Sequence, residues 1–211
     1  MKSHQGARRG PKPKSDTSDN LVQAGLRMIH AAGYAATGIQ AIADSADLPK
    51  GSFYNHFASK EVFAAAVIDA YFDRGQEKLR SILGNAEAAP LARLEAYFDD
   101  RIAALRKAGC ARGCLLGNFS AEVADHSPLI RKHLARQFGA WSRYFETCIA
   151  EAQKRGTIGT RFPAALLARF LLNSWEGALL RMRAEKSDAP LREFKEIVFG
   201  QLLAAAATAR A

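Results

Sequence analysis

The chain has 211 residues, 48% of them hydrophobic, and carries 30 Lys and Arg against 21 Asp and Glu for a formal net charge of +9. That length suits one domain, or a small one joined to a medium one, and abundant alanine with few Val or Thr runs excludes an all-β fold. No apolar run approaches the roughly 18 residues of a membrane span, no apolar stretch follows the basic N-terminus as in a secretory signal, and three cysteines fit a reducing cytoplasm better than a disulfide framework.

The charge is concentrated at the front. Lys2, Arg8, Arg9, Lys12 and Lys14 face no acid within residues 1–14, whereas Arg27, Lys50 and Lys60 are outnumbered by Asp16, Asp19, Asp44 and Asp47 over residues 15–60. Gly6, Gly10, Pro11 and Pro13 make residues 1–15 a poor helix. The segment reads either as a solvated tail or as a flexible basic arm in which Arg8, Arg9, Lys12 and Lys14 follow DNA phosphates or enter a minor groove.

The next predicted element, "SDTSDNLVQAGLRMIHAAG", has Ser, Asp and Thr as candidate caps, apolar residues at helical spacing, and Gly33 as its stop. A second, two-turn helix is expected from Thr37, with Ile39, Ile42 and Ala43 on one face. "DLP" then turns the chain, Asp47 taking a left-handed backbone, and "KGSFYNHF" opens a third helix. The second and third elements have the dimensions of a helix-turn-helix within residues 16–60. Phe53 and Phe57, four residues apart, share a face and anchor the third helix to the core. Ser52, Tyr54, Asn55 and His56 fall on other faces, where Asn55 can pair with adenine and the others can reach phosphates or base edges. Pro49 near the helix start costs no hydrogen bond, and Lys50 adds charge there.

Residues 21–67, with "AGY", "IAD", "LPKGSFYNHF" and "SKE" in order, resemble the DNA-binding domain of the TetR family of bacterial transcriptional repressors. The resemblance implies DNA contacts from Thr37, Gln40, Lys50, Gly51, Ser52, Tyr54, Asn55, His56 and Lys60 on a palindromic operator. Two positions depart from the common pattern: Gly38 stands where a second hydroxyl often begins the second helix, and Asp47 where the turn usually has Gly. Thr37 remains as the expected cap.

Over residues 61–211 the pattern is helical throughout. A long helix is predicted for Ser59–Leu83, then others near Leu91–Lys107, Ser127–Arg155, Ala164–Lys186 and Leu191–Thr208, about nine in an all-α chain. Pro90, Pro128, Pro163 and Pro190 each sit near a proposed start. Apolar stripes run through Leu166, Leu167, Phe170, Leu171, Trp175 and Leu179, then Phe194, Ile197, Val198 and Leu202. In this family the last two helices of each subunit pair into a homodimer, so the stripes are the expected interface.

"AGCARGCLLGNFSAEV" is the other unusual stretch. Cys114 stands between Arg112 and a helix expected to begin near Leu116–Asn118, and both neighbours favour thiolate, with Cys110 as a resolving partner. The alternative is a small buried hydrophobe, the role expected for Cys148. The run "RGCLLGNFSAE" with "WEGALLRMR" is similar to regulators of this family that respond to N-ethylmaleimide or acrylate. That resemblance implies a small-molecule inducer, sensed as an electrophile at Cys114 or bound without covalent chemistry. The N-ethylmaleimide-responsive repressor engages its oxidised cysteine with a lysine where Arg183 stands here, and arginine does not readily form that bond. An inducer pocket is expected in the C-terminal bundle, lined by Phe98, Leu105, Leu115, Phe119, Trp141, Phe145, Phe170 and Trp175, with Asn118, Glu122, Asn173 and Glu176 as polar candidates. The spacing of Cys and His matches no metal site, no Gly-rich phosphate loop or Gly-x-Ser-x-Gly occurs, and no cofactor is expected. A ligand-binding protein without operator binding and a thiol-dependent enzyme are the alternatives.

Overall fold

The computed structural model describes residues 14–204, with side chains from Thr17 onward. Arg8, Arg9 and Lys12 therefore lie outside the described residues. Among the described residues there are nine α-helices and no strand: α1 (Lys14–Ala32), α2 (Ile39–Ser45), α3 (Lys50–Tyr54), α4 (Lys60–Leu83), α5 (Pro90–Lys107), α6 (Leu115–Val123), α7 (Pro128–Lys154), α8 (Ala164–Glu185) and α9 (Ala189–Ile197), the last running into a π-helical turn at Val198–Leu202. α1 is described from Lys14, inside the segment expected to be an arm, with Ser15, Asp16 and Thr17 in helical backbone.

Local signals set most boundaries. The Ser59 and Ser127 hydroxyls accept from the amides of Val62 and Ile130 and cap α4 and α7. Pro90, Pro128 and Pro190 occupy first-turn positions and Pro163 the N-cap of α8, where a missing N–H costs nothing. Gly33 ends α1 with φ +93° and donates to the Ile29 carbonyl at 2.8 Å, a left-handed stop that only glycine adopts freely. Three expectations shift. α2 begins at Ile39 with Gly38 as its N-cap and no side-chain cap; Thr37 is buried, its hydroxyl donating to the Gly33 carbonyl at 2.7 Å. α6 begins at Leu115, with Cys114 itself as N-cap. The last helix gives way at Val198 to a wider π-turn.

Two aromatic clusters organise the core. Phe53, Phe57 and Phe63 stack within 4.9–5.6 Å between ring centroids and fasten α3 to α4. α1 crosses α4 so closely at Gly25 that a Cβ there would stand 2.5 Å from Cε1 of Phe63. In the C-terminal half Phe98 is surrounded by Phe145, Trp175 and Phe194 at 4.9–5.3 Å. Cys148 is buried and donates to the Leu83 carbonyl, which also receives the buried Arg93, so this cysteine is core as its sequence context predicts.

Candidate functional site

α2 and α3 are joined by a turn in which Asp47 has φ +55°, the left-handed residue expected of it. Phe53 is fully buried and Phe57 nearly so; the Phe57 amide donates to the Phe53 carbonyl at 2.9 Å and keeps both rings on one face. The opposite side is open: Lys50, Gly51, Tyr54 and Asn55 are exposed, Tyr54 by 53%, and Ser52 and His56 partly so. α3 itself spans five residues, with Asn55 as its C-cap and His56 in the turn beyond. Gln40 is exposed on α2 and donates to Asp44 at 2.6 Å. Two expected contacts point elsewhere. Thr37 is sealed under the α1–α2 turn, and the Lys60 ammonium is engaged by the Tyr34 carbonyl at 2.7 Å, lying 4.3 Å from the centre of the Tyr34 ring.

A cavity of about 390 Å³ lies among α1, α4, α5, α7, α8 and the turn before α6. Tyr71, Tyr97, Trp141 and Trp175 supply its walls, with Cys114 and Gly113 on one side and Leu26 and His30 of α1 on another. His30 donates from Nε2 to the Gly113 carbonyl at 2.8 Å, and its ring meets the Tyr71 ring edge-on at 5.7 Å. Burial pushes the His30 pKa down, with Arg112 and Arg183 acting in the same direction against the Gly113 bond, so the ring is neutral at pH 7. Arg74, Lys78 and Arg101 complete the lining, Lys78 and Arg101 both paired with Asp100. Among the described residues no carboxylate lines the cavity directly. The Trp141 indole nitrogen and Glu176 Oε1 are buried without a hydrogen-bond partner among the described residues.

A family model described as "Bacterial regulatory proteins, tetR family" matches residues 21–67, and one described as "Tetracyclin repressor-like, C-terminal domain" matches residues 90–198. The chain belongs to the TetR family. It is 40% identical to the HTH-type transcriptional repressor DhaR of Mycobacterium sp. (strain GP1) over 90% of this chain and 94% of that protein. It is 32% identical to the transcriptional regulator AcuR of Cereibacter sphaeroides over 92% of this chain and 89% of that one. Among solved structures, the reduced form of Escherichia coli NemR aligns with a TM-score of 0.84 at 25% identity, covering 91% of this chain and 99% of that chain. A TetR regulatory protein from Rhodobacter sphaeroides aligns at 0.79 and 32%, covering 85% and 95%.

Within this TetR-family fold the expected ligand residues separate. Cys114, Leu105, Trp141 and Trp175 line the cavity; Phe145 lies buried behind Trp141, their centroids 6.4 Å apart. Phe119 packs on Tyr34 at 5.8 Å, and Glu122 accepts from the amides of Tyr34 and Ala35, so both face the DNA-reading unit. Asn118 accepts from Arg183 at 2.6 Å; the Arg183 stem crosses Gly113 so tightly that a Cβ there would stand 2.8 Å from its Cδ. Arg112 is exposed, as are Phe170 and Asn173, which border an outer groove between α7 and α8. Cys114 is buried, and burial, then the neighbouring Glu176, push its pKa up, against the direction expected from Arg112 and the helix start. Glu176 itself is pushed up to about 7 by burial. The sequence reading missed His30 and Tyr71 as cavity residues; both stand four residues after core positions, Leu26 and Val67, and that spacing was the available signal.

The terminal stripes divide as well. Leu167, Leu171, Trp175, Leu179, Phe194 and Val198 are buried within the subunit. Phe162, Leu166, Phe170, Leu180 and Ile197 are exposed, Leu180 by 57% and Ile197 by 61%.

Proposed function

We propose that this chain is a transcriptional repressor that binds a palindromic operator as a homodimer and leaves it when a small molecule fills the cavity. The observation that carries the reading is the composition of the cavity wall: Leu26 and His30 of α1, the first helix of the DNA-reading unit, share one surface with Trp141 and Trp175 of the C-terminal bundle. A molecule held there bears on both units at once, as differential binding to two states requires. The working division is a basic arm over 1–15, a helix-turn-helix unit over 16–60 and a ligand-binding and dimerisation unit over 61–211, in a protein that acts on cytoplasmic DNA without enzymatic activity.

Lys50, Gly51, Ser52, Tyr54, Asn55 and His56 face the operator, with Gln40 beside them. The exposed apolar residues of α8 and α9 pair across the two-fold axis, since a five-residue reading helix needs a second copy for a useful footprint. The inducer is small, because 390 Å³ lies near the low end of ligand cavities. It has an apolar body and an oxygen acceptor, because the lining offers aromatic walls, tyrosine hydroxyls and Arg74, while the other two cations, Lys78 and Arg101, are already paired with Asp100. A neutral, buried Cys114 favours non-covalent binding over attack on an electrophile.

The test is fluorescence anisotropy with labelled duplex from the DNA flanking its own gene, scanned for release by small organic acids and ketones. Asn55→Ala weakens binding by about 1–3 kcal/mol and relaxes preference at one position in each half-site. Equal affinity for flanking and scrambled duplex overturns the reading.

A further inference from the structure

Between α1 and α2 the chain turns through residues 33–37, and this turn is held from outside its own unit. Glu122, on α6 of the C-terminal half, accepts from the Tyr34 amide at 2.9 Å and the Ala35 amide at 2.6 Å. Gly33 lets the carboxylate in: with φ +93° it exposes those amides, and a Cβ on it would stand 3.2 Å from Glu122 Oε2. From α4, Lys60 holds the Tyr34 carbonyl, and Thr37 closes the turn on the Gly33 carbonyl at 2.7 Å. One helical turn below Glu122, Phe119 packs on the Tyr34 ring. α6 is therefore fixed to the DNA-reading unit near its C-terminal end by Glu122, while the loop before its start is fixed by the bond from His30 to Gly113.

The bonds to Glu122 are not demanded by burial. Ala35 is exposed and Tyr34 only partly covered, so water would satisfy both amides if the carboxylate were absent. What the carboxylate adds is position: two charge-assisted bonds define where the turn sits relative to α6. α2 begins two residues after Thr37, and α3 follows through the Asp47 turn. The other end of α6 belongs to the cavity, where Gly113 and Cys114 form part of the wall. One rigid helix of nine residues thus touches the ligand site at its start and the approach to the reading head near its end.

We infer that Glu122 is a positioning residue that transmits displacement of α6 to the α1–α2 turn and so sets the placement of α2 and α3. The inference rests on the reading that cavity and operator are coupled, and it assigns that coupling to one carboxylate and two backbone amides. Linkage then runs both ways: DNA that fixes α2 and α3 also steadies α6.

The experiment is hydrogen exchange on the full chain, wild type beside Glu122→Ala and Glu122→Gln. In the free protein Glu122→Ala exchanges the Tyr34 and Ala35 amides about tenfold faster and speeds α2, while α7 and α8 are unchanged. Glu122→Gln, which keeps one neutral acceptor, falls between. Adding duplex from the flanking DNA protects α1–α3 in all three proteins, and residues 109–114, which His30 holds through Gly113, respond alike in all three, but the C-terminal half of α6 is protected in the wild type alone. Unchanged exchange over residues 33–45 in Glu122→Ala overturns the inference, as does equal DNA-induced protection of α6 in wild type and variant. A duplex that leaves α1–α3 of the wild type unprotected counts instead against operator binding, and the free-protein comparison then decides the role of Glu122.

Discussion

Replacing Gly25 by alanine sets two effects of known size against each other. In an open helix interior the change stabilises by about 1 kcal/mol, because alanine restricts the unfolded chain and favours the helix. Gly75 of α4 is such a site, with nothing within 4 Å of an added Cβ. At Gly25 the new methyl would stand 2.5 Å from Cε1 of Phe63, closer still to its Cζ, and 3.3 Å from Cγ2 of Val67. Phe63 is fully buried and wedged against Phe53 and Phe57 at 5.0 and 4.9 Å, so the ring has nowhere to turn. Overpacking a sealed site costs about 3 kcal/mol, the upper end of the usual range. The clash wins by about 2 kcal/mol, which in a chain of this size lowers Tm by about 4–8 °C. Because Phe63 leans on the aromatic pair that anchors α3, operator affinity falls with it. The assay is thermal unfolding by circular dichroism at one fixed protein concentration, wild type beside Gly25→Ala and Gly75→Ala. A Gly25→Ala protein that melts at or above the wild-type temperature refutes the packing argument.

Three further outcomes are expected. Glu176 has its folded pKa raised from 4.5 to about 7 by burial, so its contribution is fully present below pH 4.5 and is lost as pH climbs through 7. Wild type loses on the order of 2–3 kcal/mol relative to Glu176→Gln between pH 4.5 and 8, and parallel pH profiles of unfolding free energy for the two proteins would sink this assignment. Leu180→Glu, on the exposed side of α8, yields folded monomers by light scattering that no longer bind operator. Leu179→Ala, buried one position away, instead loses about 2–5 kcal/mol of stability and stays dimeric; a dimeric Leu180→Glu protein contradicts the interface. Cys114, neutral and buried, is alkylated by maleimide in the native state at least about a hundredfold more slowly than in urea, read by intact mass with Cys110→Ser and Cys148→Ser as background; native labelling as fast as unfolded labelling would restore the electrophile-sensing alternative.

Much of this molecule is written in short-range patterns. The i, i+4 spacing of Phe53 and Phe57, the left-handed residue at Asp47, the Ser59 cap and the prolines at helix starts each act within one or two turns of backbone, and each was legible before any fold was known. Sequence also showed that α8 and α9 carry more apolar surface than a solvated helix needs. It did not say which apolar residues face inward: Leu179 and Leu180 are neighbours with the same chemistry, and only the packing of α7 and α9 against α8 buries one and exposes the other. The ionisation of Cys114 went the same way. Its neighbours Arg112 and the α6 start argue for thiolate, but Arg112 is exposed, and the thiol's pKa is pushed up by burial and then by the Glu176 carboxyl, 62 positions away. Glu122 reads as a polar candidate for the pocket from its sequence neighbours, yet it serves amides 87 and 88 positions earlier. Propensity and capping are properties of a segment; desolvation, and the choice of partner for a charge, belong to whatever the folded chain brings alongside it.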